Sequence, residues 1–226
     1  MLKIYGVPFS VHTRKVIVAA IEKKLPYANE PVVPFTPPPG WNDLSPTGKI
    51  PAFTDGDVRL CDSSVICAYL ERAYPAVPIY PADTQGYVQA LWFEEYSDGT
   101  IFRDVIHGLF VNKVIKPKIL NQDGDQAAIA AILKDAVPQV FGYLEKELTG
   151  RFLAGERFSI ADIALASNLI NFHYLGYTIE ARYPKLAAHF ASSIRHPSIA
   201  KALAGEEGIA TSMGLDRSFL KLAAAA

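Results

Sequence analysis

The sequence predicts two parts of different fold class: an α/β domain built on a four-stranded mixed sheet, and an all-helical domain after it. Short strand-like and helix-like segments alternate over the first 75 residues. Beyond Pro75, Pro78 and Pro81, which predict a stiff linker, no strand pattern recurs. The chain has 226 residues and half of them are hydrophobic, which is enough for two cores.

The order of elements predicted for the first domain is β-α-β-loop-β-β-α. Strands are recognised by alternating apolar and polar residues, helices by apolar residues three and four apart, and the hairpin by an Asp-Gly pair. The elements are a strand at 2–5, a helix at 12–24, a strand at 27–33, a proline-rich loop at 34–48, two strands around Asp55-Gly56, and a helix from Asp62 to about Tyr74.

The second domain is predicted to consist of helices only. Ser159 and Asp162 mark the start of one of them, because a short hydroxyl side chain three residues before a carboxylate forms a capping box. The predicted helices are 83–113, 126–149, 160–174, 184–194 and 197–204. The predicted boundaries are 1–76 for the α/β domain, 77–82 for the linker, 83–222 for the helical domain and 223–226 for a tail.

Composition argues against several classes of function. Lys and Arg number 22 and Asp and Glu 23, so neither nucleic acid nor an anionic membrane is the expected partner. The first residues lack the pattern of a signal peptide, and no apolar run approaches the roughly 18 residues that span a bilayer. Cys61 and Cys67 cannot form a disulfide framework, so we expect a cytoplasmic protein. The scattered histidines and cysteines predict no metal site.

Ser10 is the first candidate for chemistry. It stands between the first strand and the first helix, where unpaired amides and the helix dipole favour an anion. A thiolate held there would also accept a hydrogen bond from the Ser10 hydroxyl. The alternative is that Ser10 only caps the helix.

Two further segments carry a functional and a structural interpretation. If the Ile50–Pro51 bond is cis, the Ile50 N–H and C=O are free to pair with an extended peptide ligand; the alternative is an ordinary trans proline at a strand start. Asp62 and Ser63 can face the ammonium and carboxylate of a ligand, or can simply cap the following helix.

Taken together, these segments resemble the cytosolic glutathione S-transferase family, and most of all its serine-type, phi-like and bacterial members. The resemblance covers nearly the whole chain and implies a thioredoxin-like first domain. The motifs that carry it are Ser10-x3-Arg14-Lys15-Val16, Asn42-x5-Gly48-Lys49-Ile50-Pro51-Ala52-Phe53, Asp62-Ser63-Ser64-Val65-Ile66 and Ser159-Ile160-Ala161-Asp162.

The resemblance implies a role for each site residue. Ser10 would activate the thiol of glutathione, the co-substrate, and Ile50 before cis-Pro51 would pair with the cysteinyl backbone. Asp62, where the family usually has Glu or Gln, and Ser63 would hold the γ-glutamyl end. Phi-like members have basic or imidazole side chains for the glycyl carboxylate where this chain has the uncharged segment 35–41, so Lys49 or Trp41 is expected to substitute.

The expected reaction is attack of the glutathione thiolate on an apolar electrophile, as in detoxification, by a homodimer. Isomerisation, peroxide reduction and ether cleavage use the same thiolate, and a binding protein that keeps the fold without turnover is the alternative of another class. Arg14 is expected to pair with carboxylates between the domains. The candidate walls of the electrophile pocket are Phe9, His12, Phe102, His107 and Phe110, although aromatic side chains at helical spacing are also typical of a core.

Overall fold

The computed structural model describes residues 1–224, and its first part is the predicted α/β fold. The sheet has four strands in the order β2-β1-β3-β4; β1 pairs with β2 in parallel and with β3 in antiparallel orientation, and β3 pairs with β4 in antiparallel orientation. The strands are β1 Leu2–Tyr5, β2 Tyr27–Glu30, β3 Ala52–Asp55 and β4 Val58–Cys61. The helices are α1 Val11–Glu22, α2 Trp41–Leu44 and α3 Ser63–Ala73.

Two local predictions for this part are wrong. Strand β2 ends at Glu30 rather than Val33, since the chain turns away from the sheet at Pro31. The loop 34–48 contains the short helix α2, which the prolines around it hid. Gly40 precedes α2 in a left-handed conformation (φ 76°), and the Trp41 indole N–H donates to the Gly48 carbonyl over 3.2 Å and closes the loop.

The rest of the described chain is helical, as predicted. A long helix, 84–119, consists of α4 Thr84–Glu95, the π-helical segment Tyr96–Ile106, α5 His107–Phe110 and the π-helical segment Val111–Ile119. Then follow α6 Gln126–Ala131, the π-helical segment Ile132–Ala136, α7 Val137–Glu147, α8 Ile160–Tyr174, α9 Pro184–Ile194, α10 Pro197–Gly205, α11 Glu207–Ser212, a 3-10 turn Ser218–Leu220 and α12 Lys221–Ala224. The domain boundaries given above stay predictions.

The long helix and the chain end differ from the sequence-based prediction. The helix continues past the predicted end at residue 113 to Ile119, with Pro117 inside its last π-helical segment. Helices α11 and α12 were not predicted because each is short and lacks a sustained apolar period. The predicted tail 223–226 is helical at Ala223 and Ala224, and Ala225 and Ala226 lie outside the described residues.

Helix α8 is the centre of the second part and also fixes the position of α1. All its side chains from Ile160 to Tyr174 are buried, and it packs against both α1 and α4. A helix that is buried all round belongs to the middle of a core. One continuous cluster of buried apolar side chains therefore includes residues of the sheet, of α1 and of the helical part.

One described helix, Gln126–Glu147, is long and apolar enough to cross a membrane by length and composition alone. Lys134 and Asp135 lie near its middle, and the buried side chains of α7, which include Val140 and Phe141, pack in the core. Of its most apolar stretch, 28% is buried inside the fold.

Candidate functional site

Ser10 lies at the start of α1 with its hydroxyl uncommitted. It is the N-cap residue in an extended conformation, yet its side chain makes no capping hydrogen bond. The amides of Val11, His12 and Thr13 likewise have no hydrogen-bond partner among the described residues. The start of α1 therefore presents one hydroxyl and three unpaired N–H groups, which together suit an anion.

Gly6 brings the loop before Ser10 close to the strand that starts at Ala52. Its φ is +146°, and a Cβ atom there would lie 2.5 Å from Thr13 Oγ1 and 3.1 Å from Ile50 Cβ. Only glycine fits this place without a shift of α1 or of Ile50. Ile50 and the first turn of α1 thus face the same loop.

The Ile50–Pro51 peptide bond is cis, which confirms that prediction. The sheet ladder between β1 and β3 ends at Ala52. Outside that ladder, the Ile50 N–H and C=O make no hydrogen bond with any described residue. Both backbone groups are therefore open to an extended ligand, as a β-strand-like peptide would require.

Asp62 caps α3, so the structural interpretation of this residue is confirmed. Its Oδ1 accepts hydrogen bonds from the amides of Ser64 (3.0 Å) and Val65 (3.2 Å), and its backbone has φ +94°. The other carboxylate oxygen has no partner among the described residues, and the side chain is exposed. Capping and contact with a ligand ammonium are therefore compatible.

Ser63 is buried; its hydroxyl is engaged in a hydrogen bond, whereas its backbone amide is free, within the described chain, to bind a ligand. Its Oγ donates to Asp98 Oδ2 over 3.3 Å, whereas its N–H, the first of α3, has no partner in the described chain. A ligand carboxylate at this helix start would meet the amide rather than the hydroxyl.

Lys49 and Trp41 were the candidates for a carboxylate at the other end of the ligand. Trp41 is buried and its indole N–H is used by the Gly48 carbonyl, so the expectation for Trp41 is wrong. The Lys49 side chain is exposed, and its ammonium pairs with no described residue. It is the only cation between residues 31 and 51.

Arg14 confirms the predicted pairing between the two parts of the chain. It is fully buried, and its guanidinium donates to the Glu206 carboxylate at 2.9–3.1 Å, to the Asn171 side chain at 2.8 Å and to the Ser167 carbonyl at 2.9 Å. It also donates to the Phe9 carbonyl over 3.1 Å, directly before Ser10. Arg14 thus ties the loop of the candidate site to α8 and to the end of α10.

A second buried network, which sequence reasoning missed, centres on Lys15, the residue after Arg14. The Lys15 ammonium donates to Glu94 (2.7 Å), to Asp98 and to the Ser64 hydroxyl (3.0 Å). The Tyr80 hydroxyl donates to the other oxygen of Glu94 over 2.8 Å. The network joins α1, the start of α3 and the long helix.

The charges of this network follow from its contacts. Burial alone would raise the pKa of Asp98, but the Lys15 ammonium and the His12 ring hold it well below its usual range. Burial would lower the pKa of Lys15, but Asp98 and Glu94 raise it above its usual value. Asp98 is therefore a carboxylate, and Lys15 an ammonium, at every pH near neutrality.

The five predicted wall residues form two groups of contacts: one joins the loop before α1 to the long helix, and the other joins α1 itself to that helix. The rings of Phe9 and Phe110 stack with centroids 6.1 Å apart. The rings of His12 and Phe102 meet edge to face at 4.5 Å, and His107 lies 5.7 Å from Phe102. Phe9 is buried and His107 is exposed, so the aromatic pairs are part core and part surface.

Among residues 1–224, no group of three or more His, Cys, Asp or Glu side chains is placed to hold a metal ion.

A cavity of about 370 Å³ lies beside α9, lined among others by Arg151, Lys185 and His189, and shares no residue with the site around Ser10.

A signal for the missed residues exists in the sequence. Val16 to Ala20 are apolar without interruption, so α1 is buried on all sides, and Arg14 and Lys15 just before them have to find buried partners. The local sequence does not show which residues these partners are, because Glu94, Asp98 and Glu206 are 79 to 192 residues away.

Known protein families and structures that resemble this chain have the same two-part architecture. Residues 4–78 match the family model "Glutathione S-transferase, N-terminal domain", and residues 126–192 match "Glutathione S-transferase, C-terminal domain". Glutathione S-transferase F4 of Arabidopsis thaliana is 30% identical over 193 residues, which are 76% of this chain and 71% of that protein.

Two bacterial proteins are also similar. The FtsZ-localized protein A of Caulobacter vibrioides is 25% identical over 174 residues, 75% of this chain and 76% of that protein. The crystal structure of a glutathione S-transferase from Rhodospirillum rubrum F11 superposes with a TM-score of 0.83 at 25% identity, over 90% of this chain and 92% of that one. With both family domains matched in order on a thioredoxin-like sheet and a helical domain, the chain belongs to the glutathione S-transferase family.

Proposed function

We propose that the protein is a serine-type glutathione transferase, in which the Ser10 hydroxyl stabilises the glutathione thiolate for attack on an apolar electrophile. The family uses glutathione as co-substrate. The observation that carries the proposal is the uncommitted Ser10 hydroxyl beside three unpaired amides at the start of α1.

The remaining open groups suit the other parts of glutathione. The Ile50 N–H and C=O would pair with the cysteinyl backbone beside Pro51. The Ser63 amide would hold the γ-glutamyl carboxylate, and the free oxygen of Asp62 its ammonium. Lys49, which makes no ion pair in the described chain, would take the glycyl carboxylate. These roles support binding of one extended peptide across the first domain.

The contribution of Ser10 is modest in magnitude. A free alkyl thiol with a pKa of about 8.5 is about 3% ionised at pH 7. To make most of the thiol ionise at pH 7, its pKa has to fall by about two, which requires about 2.7 kcal/mol. A hydrogen bond to a charged acceptor is worth roughly 1.5–3 kcal/mol, so the Ser10 hydroxyl and the helix amides together are sufficient. Because nucleophilicity falls as the pKa falls, the net gain is only a few-fold. Most of the acceleration would come from holding both substrates together between α1 and the long helix.

The experiment is a Ser10→Ala variant assayed with glutathione and chlorodinitrobenzene. We expect kcat/KM at pH 7 to fall a few-fold, and the pKa of the bound thiol, followed by thiolate absorbance, to rise by about one to two. Ser212→Ala, at an exposed serine of α11, is the control for the substitution itself. Full activity of Ser10→Ala with an unchanged thiol pKa would remove Ser10 from the mechanism.

A binding protein without turnover is the second candidate. Two observations favour it: segment 35–41 is uncharged and largely exposed, and the Caulobacter relative bears a name that associates it with FtsZ. Titration calorimetry separates the two functions. Heat from glutathione at millimolar concentration supports the enzyme, and its absence supports the binding protein.

The quaternary structure proposed is a homodimer formed through α3 and α4. Four large apolar side chains are exposed on these two helices: Val65, Tyr87, Val88 and Trp92. Apolar side chains grouped on a surface mark an interaction site more often than isolated ones do. A second copy related by a two-fold axis would cover them.

A further inference from the structure

We propose that His12, oriented by Asp98, takes the proton of the glutathione thiol and delivers it to the oxygen of an epoxide, which makes epoxides the preferred electrophiles. The inference rests on the proposed transferase function and adds an acid–base residue and a substrate class to it.

The Asp98 carboxylate fixes the orientation of the His12 ring. His12 Nδ1 lies 3.5 Å from Asp98 Oδ1, and both atoms are buried and make no hydrogen bond with any described residue. The ring edge rests on Phe102 at 4.5 Å between centroids. The carboxylate and the aromatic ring together favour the orientation in which Nδ1 faces Asp98.

The other ring nitrogen is the reactive one. His12 Nε2 makes no hydrogen bond with any described residue and is not among the sealed polar atoms of the protein, and 22% of the side chain is exposed. Because a carboxylate oxygen lies 3.5 Å from Nδ1, the neutral ring is expected to keep its hydrogen on Nδ1 and its lone pair on Nε2. The open side of the ring is therefore a base, and after protonation an acid.

The charges around His12 favour this cycle. Asp98 is ionised because Lys15 binds its other oxygen, so it stabilises the imidazolium when Nε2 gains a proton. The Lys15 charge itself is balanced by Glu94 at 2.7 Å. The His107 ring also lies beside Phe102, with 5.7 Å between the ring centroids.

His12 also lies near the place proposed for the sulfur. Ser10 is the N-cap of α1 and His12 follows two residues later, which puts their Cα atoms about 5 Å apart by helix geometry. The side chains on either side of Ser10 in the chain, Phe9 and His12, both contact the long helix. An electrophile held between α1 and that helix would lie within reach of the sulfur and of Nε2.

The proposed step balances in atoms and charge. The thiol S–H bond breaks and its proton goes to His12 Nε2. The thiolate then forms a bond to an epoxide carbon, that C–O bond breaks, and its electron pair goes to oxygen. The His12 imidazolium returns the proton to this oxygen, so the products are a hydroxyalkyl thioether and neutral His12.

Epoxides gain from such a group, whereas aryl halides do not. A chloride ion leaves chlorodinitrobenzene without a proton, but an opening epoxide leaves an alkoxide that needs one. General acid catalysis contributes about 10²- to 10⁴-fold where a proton is transferred in the transition state.

The test compares styrene oxide and chlorodinitrobenzene as substrates of the wild type and of His12→Gln. We expect the ratio of the two kcat/KM values, epoxide over halide, to fall about twentyfold or more in His12→Gln. In His12→Ala, added imidazole should restore epoxide turnover selectively. His196→Gln, a control at a histidine that stacks on Phe158 outside the candidate site, should leave the ratio unchanged.

Asp98 acts through His12 as a positioning residue, so Asp98→Asn should lower the same ratio, with the melting temperature as the check of folding. Equal losses for both substrates in His12→Gln would reduce His12 to a packing role and overturn the proposal. It is also overturned if the wild type accepts the halide but not the epoxide, a result that leaves the transferase function standing. Failure with both substrates would contradict the proposed function first.

Discussion

His173 shows at the scale of one residue how a core position creates pH-dependent stability. Its ring stacks on Phe190 at 4.3 Å and lies 5.5 Å from Phe219, and its Nε2 is buried without a partner in the described chain. Burial lowers the pKa of His173 from 6.5 to about 4, although Asp216 opposes the shift. The folded state thus holds this imidazole neutral where the unfolded chain would protonate it.

We therefore predict that acid destabilises the protein well above the range in which carboxylates titrate. The stability contributed by neutral His173 is complete above pH 6.5 and is lost as the pH falls toward 4, since the unfolded state binds the proton first. Between pH 7.5 and pH 5, His173 should account for about 2 kcal/mol of lost unfolding free energy.

Urea unfolding of the wild type and of His173→Phe at these two pH values measures the effect. Phenylalanine keeps the stack on Phe190 and has no proton to bind, so the variant should lose about 2 kcal/mol less than the wild type over this interval. Identical pH dependence in the two proteins would show that His173 does not titrate on unfolding.

Residue by residue, sequence reasoning works where the function of a side chain depends on its immediate neighbours in the chain. Ser10 at a strand–helix junction and Asp62 before a helix are examples, and both occupy the predicted positions. It fails for the partners of Lys15, because Glu94 and Asp98 come from a helix whose approach is fixed only by tertiary packing.

The start of α8 is the best-specified element boundary in the chain. The Asp162 carboxylate accepts from the Ser159 amide (2.9 Å) and the Ser159 hydroxyl (3.1 Å), which confirms the predicted capping box. The same carboxylate also contacts the Leu153 amide at 2.9 Å and His189 Nε2 at 2.8 Å. It therefore holds three segments together.

We predict graded losses from substitutions at this boundary. Ser159→Ala should cost about 1 kcal/mol, the usual price of a lost N-cap. Asp162→Ala should cost more, about 3 kcal/mol or above, because it leaves several buried donors unpaired. Denaturant unfolding measures both. Ser212→Ala, an exposed helical serine, is the control, and equal costs for Ser159 and Asp162 would contradict the ranking.

Elements were predictable when their signal was local and strong. The Asp55-Gly56 hairpin and the buried helix α8 follow from turn chemistry and from an unbroken apolar run. The short α2 was not predicted, because the loop around it is closed by a side-chain contact, the Trp41–Gly48 bond, rather than marked by periodicity. The π-helical segments of the long helix were not predicted either, because apolar spacing in the sequence does not distinguish them from an α-helix.

At the scale of the whole molecule, Arg14 couples the two parts of the chain. We predict that Arg14→Ala lowers the free energy of unfolding by about 3–5 kcal/mol, since it leaves the Glu206 carboxylate buried without its cation. Arg103→Ala is the matched control: Arg103 pairs with Asp104 on the surface, and its loss should not change stability measurably. Similar midpoints of urea unfolding for the two variants would contradict the coupling role.

The proposed dimer gives a second prediction at this scale. Val88→Glu, in the middle of the exposed apolar side chains of α4, should shift the protein from dimer to monomer in light scattering after gel filtration. Leu120→Glu replaces a comparably exposed apolar residue at the end of the long helix, outside α3 and α4, and should leave the mass unchanged. A wild type that is monomeric at micromolar concentration rules this interface out.

The division into an α/β part and a helical part followed from the sequence because it depends on the order of elements. The contact between the two parts could not be predicted from the sequence, because Arg14 and Glu206 are 192 residues apart and neither local sequence indicates the other as its partner. Long-range pairs of this kind fix the geometry of the candidate site.

The positions of the two tryptophans have a practical consequence. The chain has only Trp41 and Trp92. Trp41 lies in the loop 34–48 and is buried in a small cluster with Val32 and Ala52, whereas Trp92 is 53% exposed on α4. Intrinsic fluorescence would therefore follow the two proposed events separately and without any label. A Trp92→Phe protein should report binding of glutathione at the proposed site through Trp41, and a Trp41→Phe protein should report the proposed self-association through Trp92.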